Sequence, residues 1–226
     1  MKTIESLRII TVLASMLALT AASAASRNDL ERAMSYDGLQ KISVKGIDLA
    51  YARPGVTLAG YNRVQLDPVD VAFRKDWNPT RSHSQIKLSA EDRENIRTGV
   101  AKIVYDEFVK QLQNSSYQVV SEAGPDVLRV KAHIVNLYVN APDARTVGRS
   151  RTYTVSAGEM TIFAELYDSE TGELLARVVD RREARGTGTL TLTNSVVNVE
   201  EARSIASSWA RILRGALDKA HGIGKK

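Results

Sequence analysis

The stretch AELYDSETGELLARVV, Ala164 to Val179, gathers the acidic, hydroxyl and glycine residues from which a cation-binding loop is built. A calcium loop between helices, starting at Asp168, requires glycine at its sixth position and a bidentate glutamate at its twelfth. Those positions hold Glu173 and Val179. The flanks alternate apolar and polar residues, as strands do. Gly172 stands where a short hairpin loop needs positive φ, and Asp168 can accept hydrogen bonds from amides ahead of it. The spacing predicts a hairpin.

The other reactive side chains give no stronger motif. His83, His133 and His221 are the only histidines; no two are four residues apart, and HExxH is absent. His133 alternates with Arg129 and Lys131, which predicts a solvated position on the polar face of a strand. His221 is placed to meet the last carbonyls of a helix. Neither GxSxG nor SxxK occurs, so the serine nucleophile motifs are missing. Gly186 to Asn194, GTGTLTLTN, lacks the lysine and spacing of a phosphate loop and reads as a flexible or short β connection. Acidic groups Glu91, Asp92, Glu94, Glu107, Glu200 and Glu201 fall at helix starts or outer faces, where capping and solubility explain them. Glu165 is expected to pair across strands with Arg177 as a small stabilising contact. No metal or cofactor is expected.

Two arginine groups remain. Arg145, Arg149 and Arg151 lie in a long excursion between strands, and Arg181, Arg182 and Arg185 follow the hairpin's return strand. Pairing about the Asp168–Gly172 turn brings both to one end of a sheet. Arg145, Arg149, Arg151 and Arg181 are the candidate contacts for an anionic glycan, a lipid headgroup or an acidic protein, against the alternative of solvated loops.

The elements that would position these groups follow from periodicity. Ser89 caps a helix whose face is Ile96, Val100, Ile103, Val104, Phe108 and Leu112. Strands are predicted over Tyr117–Ser121, Val127–Val139, Gly158–Asp168 and Leu174–Arg182, after an earlier one interrupted by Pro68. A last helix over Val199–Ala220, capped by Asn198, carries Ala202, Ile205, Ala206, Trp209, Leu213 and Leu217 on one face. The expected fold class is α+β: a two-layer sandwich with a mainly antiparallel sheet of about five strands and both helices on one face. On the other face, Val135, Leu137 and Val139 follow the polar residues of their strand, and Phe163, Tyr167 and Val179 are expected to join them. Residues 25–60, broken by glycines and Pro54, are expected to cover that patch, with a partner surface as the alternative.

Lys2 and Arg8 precede the apolar run IITVLASMLALTAA, which closes on Ala22–Ser23–Ala24. This predicts a signal peptide over 1–24 and export to the periplasm, with release to the medium as the alternative. The run is short for a membrane span, and no second one follows. The chain divides into signal peptide 1–24, irregular segment 25–60, α+β domain 61–222 and loose tail 223–226. There is no cysteine, which excludes disulfides, thiolate sites and lipid attachment through sulfur. With Lys+Arg 31 against Asp+Glu 26 the net charge is +5. That mixed excess does not argue for a nucleic-acid partner.

The segments YARPGVTLAGYNRVQLDPVDVAF, GEMTIFAELYDSETGELLARVVDRR and ASSWARILRGALDKA resemble the bacterial envelope family called domain of unknown function 3313, over roughly Leu49 to His221. The resemblance implies a periplasmic protein and supplies no activity or catalytic residue. Many members are lipoproteins, a form this cysteine-free chain departs from. The expected function is non-enzymatic binding of a protein or anionic partner in the envelope. The alternative is a hydrolase of an envelope polymer using carboxylates that sequence does not select.

Overall fold

The computed structural model describes residues 34–35, 37–77, 89–139, 158–183 and 199–223, together with the secondary structure of 153–154, 191–192 and 195–198. The predicted signal peptide and residues 224–226 of the tail lie outside the described residues.

Strands β1 (Gln40–Ile42), β2 (Leu49–Ala52), β3 (Arg63–Leu66) and β4 (Asp70–Phe73) precede helix α1 (Ala90–Gln113). Then come β5 (Gln118–Val120), β6 (Val127–Val139), β7 (Tyr153–Thr154), β8 (Gly158–Asp168), β9 (Leu174–Glu183), β10 (Thr191–Leu192) and helix α2 (Ser195–Ala220). One sheet runs β1-β2-β9-β8-β6-β3-β5, with β4 also on β6, and β7 pairs with β10 separately.

The α+β class holds, but the sheet has eight strands rather than five and is mixed rather than mainly antiparallel. β3 runs parallel to both β5 and β6, and β4 parallel to β6. The cause is connection length: the 24-residue α1 carries the chain back over the sheet, and a crossover returns a strand in the same direction. β1 and β2, which sequence did not mark as strands, have three and four residues, too few to display a period. Pro68 divides the early strand as expected, leaving β3 and β4 in succession along one edge of β6.

Helix α1 begins where its cap predicts. The Ser89 hydroxyl accepts the Asp92 amide at 3.0 Å, and the Asp92 carboxylate accepts the Ser89 amide at 2.9 Å. Helix α2 starts at Ser195, four residues before the expected start, so Asn198 lies inside it rather than capping it. Neither proline nor glycine interrupts Ser195–Val199, so nothing forces a later start.

Both apolar stripes face one side of the sheet. Val104 and Phe108 of α1 and Ala206, Trp209 and Ala210 of α2 share a buried cluster with Ile134, Ile162 and Met160. Leu112 and Leu217 extend it towards Val64, Leu128 and Leu175. Burial of each large apolar side chain contributes about 1.5–3 kcal/mol, which makes this contact the main source of stability.

The opposite face carries its own cluster of Met34, Leu39, Tyr51, Phe163 and Leu174, with Leu49, Tyr167 and Val179 packed against it. The expectation of N-terminal cover thus holds for Phe163, Tyr167 and Val179, while Leu137 and Val139 are corrected. Asn136 adopts φ 56°, and the β6–β8 register shifts between Val135 and Tyr138. The bulge turns Leu137 and Val139 towards the helices, where both join the main cluster.

Candidate functional site

The Asp168 turn is a hairpin. Asp168 Oδ1 accepts from the Glu170 amide at 3.1 Å, the Thr171 amide at 2.7 Å and the Thr171 hydroxyl at 2.9 Å. Gly172 has φ 72°. The Thr171 amide, more than any other partner, holds the Asp168 carboxyl below the usual carboxylate range. Among the described residues, no group of three or more His, Asp or Glu side chains is arranged to hold a metal ion.

Alternation along the hairpin places Glu165 and Arg177 opposite each other on the face away from the helices. They form more than the small contact expected from sequence. Glu165 is 3 % exposed and Arg177 2 %. Arg177 Nε donates to Glu165 Oε1 at 2.8 Å, Nη1 to the Met34 carbonyl at 3.2 Å and Nη2 to Asp37 Oδ2 at 2.8 Å. The Tyr167 hydroxyl donates to Glu165 Oε2 at 2.7 Å. Burial opposes the Arg177 charge, but Glu165 and Asp37 outweigh it and raise its pKa above the ordinary arginine value. The Tyr167 phenol is raised well above its usual value, first by burial and then by Glu165.

His133 is a correction. It is 9 % exposed rather than solvated, set between Asp70 of β4 and Phe163 of β8. Nδ1 lies 3.3 Å from Asp70 Oδ2, yet neither ring nitrogen makes a hydrogen bond. Strand alternation identified the face correctly but could not show that the face is covered. His221 meets its helix end as expected, with Nδ1 2.8 Å from the Leu217 carbonyl oxygen. His83 lies outside the described residues.

Arg145, Arg149, Arg151 and Arg185 also lie outside the described residues. Arg181 stands at the expected end of the sheet, opposite Thr161, and its Nη2 meets Glu159 at 2.8 Å and Glu183 at 2.7 Å. Arg182 is structural: it donates to Asp180 Oδ2 and to the Gly46 carbonyl, both at 2.6 Å. Asp180, 2 % exposed, also accepts from Trp209 Nε1 at 2.6 Å and from the Asp48 amide at 3.0 Å. Sequence reading passed over Asp180 because its partners come from α2 and from the loop before β2.

A shallow depression with a cavity volume of about 10 Å³ lies beside α1, lined by Leu66, Asp67, Val69, Tyr105, Phe108 and Val130. Its carboxylate, Asp67, is gripped by Arg129 through Nε at 2.9 Å and Nη2 at 2.8 Å. Small-molecule sites usually enclose about 300–1,000 Å³.

The model of the family described as "Protein of unknown function (DUF3313)" matches residues 29–213. The chain belongs to the DUF3313 family. No curated protein matches it. Among solved structures, the PelC dodecamer from Paraburkholderia phytofirmans is 11% identical, with 75% of this chain and 96% of that chain covered and a TM-score of 0.32. A Xanthomonas campestris protein of family-model DUF330 is 12% identical, covering 74% of this chain and 93% of that one, TM-score 0.40. A putative lipoprotein from Caulobacter crescentus is 9% identical, covering 75% and 94%, TM-score 0.34. At these scores the likenesses carry no functional argument.

Proposed function

We propose that this DUF3313 protein is exported to the periplasm and acts there by binding a protein partner, without catalysis. The observation that carries this reading is the commitment of its buried acids. Glu165 is held by Arg177 and Tyr167, and Asp180 by Arg182 and Trp209. Glu107 lies 3.6 Å from Arg203 and 3.9 Å from Lys110. Hydrolysis by paired carboxylates needs acids facing a cleft with pKa values pushed apart, whereas these three stabilise the packing of strands and helices.

Binding has surfaces available. β1 and β5 end the sheet, and Ile42 on β1 is 44 % exposed. A short edge strand can accept an extended segment along its outer side. The basic start and apolar run of residues 2–24 support export, and no helix among the described residues is long and apolar enough to cross a membrane. Arg145, Arg149 and Arg151 are proposed as contacts to an acidic region of the partner. Arg181 differs from them, since an incoming anion has to displace Glu159 or Glu183.

Proximity labelling in the native envelope with the full chain tests the proposal. A reproducible partner is expected, with labelling reduced severalfold by alanine at Arg145, Arg149 and Arg151 together. Labelling no different from an unrelated exported protein overturns the binding role. Unchanged labelling in the triple variant removes the arginines from it.

A further inference from the structure

We draw no further inference here: the strongest candidate, the buried His133 ring between Asp70 of β4 and Phe163 of β8 with neither nitrogen hydrogen-bonded, carries nothing, because no group of three metal-ligating side chains includes it among the described residues and nothing in the structure shows what would bind there.

Discussion

Asp168 accepts three hydrogen bonds through one carboxylate oxygen, and the Tyr61 hydroxyl donates to the other at 2.9 Å. Burial first and Asp168 second push the Tyr61 phenol up to about 12. The Asp168 pKa is depressed in the fold, so its contribution to stability is present above the unfolded-state value and lost as pH falls through the folded one. Asp168→Asn keeps an acceptor and removes the charge. A cost of about 1–2 kcal/mol is expected at neutral pH, shrinking as pH falls below the unfolded-state value of about 4 and gone once the folded carboxyl also protonates, at a lower pH. Urea unfolding of both proteins at the two pH values measures it. An equal difference at both pH values would show that charge is not what Asp168 contributes.

At the scale of the element, β6 joins two patterns. Residues 127–135 alternate in phase with the helix layer, and the bulge at Asn136 resets that phase for Leu137–Val139. Beyond the bulge, Trp77 stacks on Phe73 with ring centroids 4.2 Å apart and donates to the Val139 carbonyl at 3.0 Å. The positive φ at Asn136 is one that asparagine tolerates and a β-branched residue does not. Asn136→Val is expected to cost about 1–3 kcal/mol, whereas Asn136→Gly stays within about 1 kcal/mol of wild type. Thermal or urea denaturation of the pair decides this. If valine proves as stable as glycine, the left-handed conformation is not what sets the register.

At the scale of the molecule, the sheet is covered twice. Two helices bury one face, and Met34, Leu39 and part of β2 bury the middle of the other. β6, β8 and β9 are paired on both edges, while β1 and β5 each have one neighbour. Protection from hydrogen exchange in the full chain is expected to fall from β6, β8 and β9 to the two edges, with residues 37–39 exchanging faster still. Mass spectrometry of exchanged fragments measures this order. Exchange of 37–39 as slow as that of β8 would mean that this stretch opens only when the whole protein unfolds.

The long elements were legible along the chain because their burial follows a local rule. The limits of β6 and β8 match prediction, and both helical stripes meet the sheet through the residues that periodicity selected. The hairpin was legible too, since Gly172 and Asp168 act within five residues of each other. Parallel pairing of β3, β4 and β5 was not, because strand direction depends on where a crossover helix sets the chain down. The burial of His133, and of Arg177 with Glu165, was hidden for the same reason. Alternation assigns a residue to a face, but water is removed from that face by segments far away in sequence: Arg177 and its contact Met34 are 143 residues apart.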